Sequence, residues 1–342
     1  MKMPRTLLEA VTYFSDLERA HEYFVAVRWP NGVACPRMGC GSADVRKIDR
    51  VVMVRPKPLP GERRGPHGSK PPKVPVTRHL WLCKDCDRQF TATVGTIFED
   101  SGIGLDKWLP ATWLLSADRN GISSCELARA LSVRQSTAWF MLHRIRTAMM
   151  EPGDNPEPFG GEVEADETWI GGKLKFSKRA RRRQREGQPW DPNLTKTAVL
   201  GVVQRGGRAR AWSIPNRSRR TMLPRIVDAI RPDATLYTDG DWAMYSIGKN
   251  FFASHYWINH SLEYVRGRVH TNNIEGFWSV LRRTIGGTYI HVNPRHLDRY
   301  LAEQCFRFNE RQNKDGPRFN AVLKGADSKR LTYEQLTKKP EA

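Results

Sequence analysis

Between residues 161 and 311 the hydropathy period changes repeatedly, and the order of those changes constrains the fold more than any other feature. GEVEADETWIGGK, starting at Gly161, alternates as a strand does, so Glu164, Asp166 and Thr168 share one face. TAVLGVVQ (197–204) and ARAWSI (209–214) read as a hairpin around Arg205, Gly206 and Gly207. TMLPRIVDAI (221–230) is helical, with its cap expected at Arg220–Thr221. ATLYTDG (234–240) is a short strand ending at Asp239, and SHYWIN (254–259) is another. TNNIEGFWSVLRRTI (271–285) and PRHLDRYLAEQCFRFNER (294–311) are helices. Three strands followed by alternating helices and strands predict an α/β domain: an antiparallel meander extended by parallel strands, with helices on both faces.

That order matches a ribonuclease H-like fold with a mixed five-stranded sheet. In it Asp166 lies on the central first strand and Asp239 at the carboxyl end of the neighbouring fourth strand. Glu275 lies on a helix crossing behind them. Three carboxylates converging there can hold two divalent cations, Mg²⁺ or Mn²⁺, about 4 Å apart. Such a pair serves in-line displacement at phosphorus. Taken singly, an Asp at a strand end is usually a turn residue, so the joint placement carries the expectation. Glu164 and Glu167, flanking Asp166, read as structural. Asn272, Glu275, Ser279 and Arg282 share one helix face. Asn272 is either an accessory catalytic group or a helix cap. Arg282 is placed to clamp a phosphate and His270 to contact one. Phe277, Val280, Leu281 and Ile285 are expected to face the core.

The N-terminal half carries two further patterns. CPRMGC (Cys35, Cys40) and CKDC (Cys83, Cys86) are two close cysteine pairs, and four thiolates from two knuckles make a structural zinc ribbon. Disulfides or buried thiols are the alternative, disfavoured inside a cell. The Pro/Gly/basic run PKPLPGERRGPHGSKPPK between the pairs reads as an extended loop. Cys125 and Cys305 lie in helical patterns and read as core. After an apolar helix (105–117), GISSCELARALSVRQSTAWFMLHRIRTAM reads as a helix capped by Ser123 or Ser124, a turn at Leu131–Val133, and a second helix at Ser136–Met149. In a helix-turn-helix that places Arg134, Gln135, Ser136 and Thr137 at the start of a DNA-reading helix; the alternative is an ordinary helical pair.

Charge narrows the partner. The 342 residues carry 56 Lys and Arg against 36 Asp and Glu, a net +20, which points to a polyanion, nucleic acid first. Residues 173–220 hold 15 basic and 2 acidic residues. Their core, KLKFSKRARRRQR, contributes Lys173, Lys175, Lys178, Arg179, Arg181, Arg182, Arg183 and Arg185, a loop suited to sequence-independent phosphate contact. No apolar run approaches the roughly 18 residues of a membrane span, and the first residues lack a signal-peptide centre, so a cytoplasmic chain is expected. These readings divide the chain into a helical segment (1–30), a zinc ribbon (31–100), a helix-turn-helix (101–155), a catalytic-type domain (160–315) with a basic insertion (173–196), and a tail (316–342).

The stretches RWPNGVACPRMGCGS, WLCKDCDRQFTATVGTIFEDS, EADETWIGGK, LYTDGDWAMY, INHSLEYVRG, HTNNIEGFWSVLRR and HLDRYLAEQCFRFNER together resemble bacterial insertion-sequence transposases that pair a zinc ribbon and helix-turn-helix with a DDE-type catalytic domain. The resemblance implies Asp166, Asp239 and Glu275 as the metal-binding triad and Asn272 as an accessory position. It implies binding of double-stranded DNA at the element's ends, metal-dependent strand cleavage and transfer, and at least a dimer, since two ends must be served. Two departures stand out. The first knuckle has two extra residues between its cysteines, and Arg282 stands where the family usually has Lys. A hydrolytic nuclease without strand joining and a non-catalytic DNA-binding regulator are the alternatives.

Overall fold

The computed structural model describes residues 3–55, 71–151, 156–172, 182, 185–186, 195–259, 262–263 and 265–338. The chain forms two compact units, one of residues 1–149 with 313–342, the other of residues 150–312. Among the described residues no helix is long and apolar enough to cross a membrane.

The first unit is organised around α3 (Leu105–Ala117), whose Leu105, Trp108, Leu109, Trp113 and Leu115 are all buried. A helix apolar on every side needs cover on every side. α1 (Leu7–Phe14) and α2 (Leu17–Arg28) supply Phe14, Tyr23 and Phe24. More cover comes from the far end of the chain. α10 (Asp315–Lys324) inserts Phe319 among Phe14, Tyr23 and Trp113. The stretch expected as a tail is therefore part of this core, and α11 (Tyr333–Thr337) sets Tyr333 against Phe140. The segments expected as separate N-terminal domains belong to this one unit.

The ribbon is a three-stranded sheet of β1 (Val45–Lys47), β4 (Trp81–Cys83) and β5 (Gln89–Phe90), in the order β1-β4-β5. β2 (Arg50–Val54) and β3 (Val74–Arg78) pair antiparallel as a largely exposed arm. α4 (Ser124–Leu131) starts with a capping box between Ser123 and Glu126. It ends at Ser132, whose φ of +49° turns the chain into α5 (Gln135–Met149). Leu127, Ala128, Ala138, Met141, Leu142 and Ile145 are buried across that turn, and Val133 within it is half-buried. Cys125 departs from expectation: it is exposed on α4, whereas Cys305 is buried.

The second unit is a mixed sheet of five strands among the described residues: β6 (Glu162–Gly171), β7 (Lys196–Gln204), β8 (Ala209–Ile214), β9 (Thr235–Asp239) and β10 (Ser254–Ile258). Their order is β10-β9-β6-β7-β8. β6, β7 and β8 are antiparallel; β9 and β10 run parallel to β6. α6 (Arg219–Ala229) and α7 (Trp242–Phe251) cover one face, where Val163, Ala165, Leu200 and Val202 meet Met222, Ile226, Met244 and Ile247. Ser218, not Thr221, caps α6. α8 (Asn272–Thr284) and α9 (Leu297–Asn309) cover the other face, where Val199 and Val203 meet Ile274, Phe277, Trp278 and Leu281. Val280 was expected in this core but is 37% exposed, and Trp278 fills it instead.

Candidate active site and metal centre

β6 is covered on both faces, so both sets of alternating residues should be apolar. The odd-numbered set begins so, with Val163 and Ala165 buried, and then breaks at the buried Glu167. On the face towards α8 come Glu164, Asp166 and Thr168. Each meets a donor from that helix. Glu164 accepts from the amides of Asn273 (2.9 Å) and Ile274 (3.0 Å) and from Asn273 Nδ2 (2.8 Å). Asp166 Oδ2 accepts from Trp278 Nε1 at 3.0 Å, and Thr168 Oγ1 from Arg282 Nη2. Four to five helical residues advance about as far as two strand residues, roughly 7 Å, so the two elements stay in step.

Glu164 is fully buried and saturated. Its Oε1 also takes Arg205 Nε at 2.8 Å, while the Arg205 guanidinium lies 3.8 Å from the Tyr237 ring centroid and donates to the carbonyls of Arg268 and His270. Glu164 thus anchors the start of α8. His270, expected as a phosphate contact, lies in this network, its Nδ1 3.4 Å from Glu164 Oε1.

Asp239 ends β9. The β6–β9 ladder runs only to Ala165 opposite Thr238, so Asp239 sits beside Asp166 in the crevice where the parallel ladder stops. Asp239 Oδ1 accepts from the Asp241 amide at 3.2 Å, and Asp241 caps α7 through the amide of Ala243. The carboxylates that the structure gathers are Asp166, Glu167 and Asp239, with ligand oxygens within 4.8 Å of one another. Glu275, the expected third member, is not in that group. It is exposed on the first turn of α8 and accepts from Thr271 Oγ1 at 3.1 Å, yet its charge reaches Asp166. Asn272, the first residue of α8, is exposed, with Thr271 in the cap position. Arg282 is exposed on the same helix.

The electrostatics follow from crowding. Burial, then Asp239 and Glu275, push the Asp166 carboxyl up to about 6. Burial pushes Glu167 up to about 7, against the pull of Arg217 and with the repulsion of Asp239 and Asp166. Arg217 Nε meets Glu167 Oε1 at 2.5 Å, and its Nη2 meets Asp241 at 3.0 Å. Sequence reading takes Glu167 as structural and passes over Arg217; the structure pairs the two and sets the Glu167 carboxylate in the acidic group. Strict alternation turns Glu167 away from Asp166, and nothing local in the sequence shows that β9 stops early enough for its side chain to come round the strand edge.

A second centre lies in the ribbon. The Sγ atoms of Cys35, Cys40, Cys83 and Cys86 lie within 4.8 Å of one another, with Cys35–Cys86 at 3.8 Å and Cys40–Cys83 at 3.6 Å. A tetrahedron with Zn–S of about 2.3 Å has edges of about 3.8 Å, so the four thiols fit a zinc ion. Gly41, at φ +64°, makes the knuckle's turn, and the amide of Cys86 leads the contacts that hold the Cys83 thiol down to about 7. Arg134, Gln135 and Ser136 are exposed at the start of α5, Thr137 is half-buried, and Gln135 Nε2 donates to Ser124 Oγ at 2.7 Å. Of the basic run, Arg182 and Arg185 are described and exposed. Lys173, Lys175, Lys178, Arg179, Arg181 and Arg183 lie outside the described residues.

Two family models match separate stretches of the chain. Residues 158–309 match the family model of the ISXO2-like transposase domain, and residues 15–89 that of the transposase zinc-ribbon domain. An uncharacterized protein in transposable element ISH50 of Halobacterium salinarum is 28% identical over 297 residues, 85% of this chain and 90% of that protein. An uncharacterized transposase-like protein of Haemophilus influenzae is 31% identical over 101 residues, 30% of this chain and 80% of its own length. With a four-cysteine ribbon in one unit and clustered acids at the strand ends of the other, this chain belongs to the insertion-sequence transposases that join a zinc-ribbon domain to an ISXO2-like transposase domain.

Proposed function

We propose that this transposase binds double-stranded DNA at the ends of its element, cleaves phosphodiesters there and joins the freed 3′-hydroxyls to target DNA. The observation that carries the reading is the meeting of Asp166 and Asp239 where the β6–β9 ladder ends, with crowding that favours a bound cation. The strand order β10-β9-β6-β7-β8 supports a ribonuclease H-like fold for this unit.

Asp166 and Asp239, joined by Glu275 from the exposed first turn of α8, would hold Mg²⁺ or Mn²⁺, whose preference is for hard oxygen ligands. When bound, such a pair of ions supplies a nucleophile at neutral pH and neutralises charge on the leaving oxygen. The chain's own residues position the DNA. Arg282 offers a guanidinium fork to a phosphate from beside Thr168, and Asn272 offers an amide from the same exposed helix face. The α4–α5 pair reads as a helix-turn-helix, with Arg134, Gln135, Ser136 and Thr137 at the groove-facing start of α5. The zinc ribbon stiffens this DNA-binding half, and the basic run 173–185 adds phosphate contacts that salt weakens. One active site per DNA end calls for at least a dimer on DNA.

Labelled oligonucleotides carrying the element's terminal sequence, incubated with protein and Mg²⁺ or Mn²⁺, test the reading. The expected result is nicked and joined product from the wild type and neither from Asp239→Asn. Nicked product without joining would identify a hydrolytic nuclease. Full activity in Asp239→Asn would overturn the site.

A further inference from the structure

We propose that Glu167 is itself a cation ligand, a fourth acidic side chain that joins Asp166, Asp239 and Glu275 in the oxygen cage of this site. The proposal rests on the reading that Asp166 and Asp239 hold a divalent cation. Its warrant is the contrast between the two glutamates that flank Asp166. Glu164 has both oxygens filled by donors, so it has no lone pair to spare for a metal. Glu167 has one oxygen filled. Its Oε1 takes Arg217, while its Oε2 is buried with no hydrogen-bond partner. The side chain is only 1% exposed, so water does not make up the deficit. An unpartnered carboxylate oxygen in such a place is costly, and a cation is the partner that removes the cost.

Placement agrees. The Glu167 carboxylate lies within 4.8 Å of both Asp166 and Asp239. It reaches them because the parallel ladder stops at Ala165, leaving the edge of β6 open beyond that point. Arg217 fixes the approach. Its guanidinium bridges Glu167 to Asp241, and the Asp241 amide holds Asp239, so one frame positions both candidate ligands. One guanidinium against Asp166, Glu167 and Asp239 leaves net negative charge in a half-enclosed crevice, as a cation site needs. A salt-bridge partner for Arg217 would account for Oε1 alone; it gives no reason for the empty Oε2.

The test is Mn²⁺ binding by electron paramagnetic resonance on the zinc-loaded full chain, paired with melting temperature without added Mn²⁺ or Mg²⁺. Glu167→Gln keeps an oxygen for Arg217 and removes the charge. The expected result is Mn²⁺ affinity weakened at least tenfold, with a melting temperature in the absence of added Mn²⁺ or Mg²⁺ unchanged or higher as repulsion is relieved. Unchanged affinity with a lower melting temperature would overturn the proposal and leave Glu167 as a salt-bridge residue. Asp239→Asn separates the two levels. If it loses Mn²⁺ while Glu167→Gln retains it, only the role of Glu167 falls. If Asp239→Asn binds Mn²⁺ as the wild type does, the shared-cation reading itself falls. Should Glu167→Gln fail to fold by circular dichroism, Glu167→Asp draws the oxygen back by one methylene while keeping its charge. A tenfold loss there supports the proposal, and unchanged affinity overturns it.

Discussion

Asp166 and Glu167 hold their protons to about 6 and about 7, above the ordinary carboxylate range, because burial and mutual repulsion disfavour the charged forms. A carboxyl whose pKa rises on folding contributes stability that is complete below its unfolded value and lost as pH rises through the folded value. Without added Mn²⁺ or Mg²⁺, therefore, the second unit should lose stability between about pH 4 and 7. A divalent cation should restore it, because metal displaces those protons. Melting temperature with and without Mn²⁺ checks this: the gain should be small at pH 5 and large at pH 7.5. Equal gains at both would refute the assignment. Glu164 gives the opposite prediction. Glu164→Ala takes the acceptor from Arg205 Nε and from three donors of the α8 entry, and should cost about 3–5 kcal/mol by chemical denaturation with or without metal. Alternation foretold that Glu164 and Asp166 share a face; it could not foretell that one would be saturated and the other left for a ligand. That distinction depends on Asn273, Ile274 and Arg205, which meet Glu164 only in the folded chain.

At the level of elements, the docking of α8 against β6 is the feature that sets the site. Gly201 on β7, opposite Asp166 in the β6–β7 register, makes room for that docking: a methyl group there would come within 2.5 Å of the Trp278 ring. Gly201→Ala should cost about 1–3 kcal/mol through overpacking and displace the indole from Asp166. The wild type should change its tryptophan emission on adding Mn²⁺, through Trp278 beside Asp166, and the variant should change it less; an unaltered response would contradict the coupling. The strand and helix order was readable because period-two and period-3.6 patterns are local. Val280 and Trp278 exchanged roles because the helix face was assigned by apolarity. An indole with a polar edge can be buried when a carboxylate accepts its N–H, as Asp166 does here. The fate of residues 316–342 was equally hidden. Phe319 finds its partners Phe14, Tyr23 and Trp113 some 200 to 300 residues earlier, beyond the reach of any window along the sequence.

For the whole molecule, the net charge of +20 and the proposed DNA partner make binding a salt-dependent event. With six to ten phosphates contacted, affinity for duplex DNA should fall about 10³–10⁵-fold between 50 and 200 mM salt. Removing the basic run 173–185 should flatten that slope, measured by fluorescence anisotropy; an unchanged slope would place the phosphate contacts elsewhere. The ribbon answers to a different reagent. Cys83→Ser should release zinc and melt the ribbon, and chelation of the wild type should do the same, read by zinc content and near-ultraviolet circular dichroism. The central claim is that residues 73 positions apart in sequence, Asp166 and Asp239, grip one ion. Fe²⁺ substituted at the site and activated with ascorbate and peroxide cuts the backbone next to whatever holds it. The account predicts cuts beside both Asp166 and Asp239, and the loss of both sets in Asp239→Asn; cuts at only one of the two positions, or cuts that survive the substitution, would contradict it.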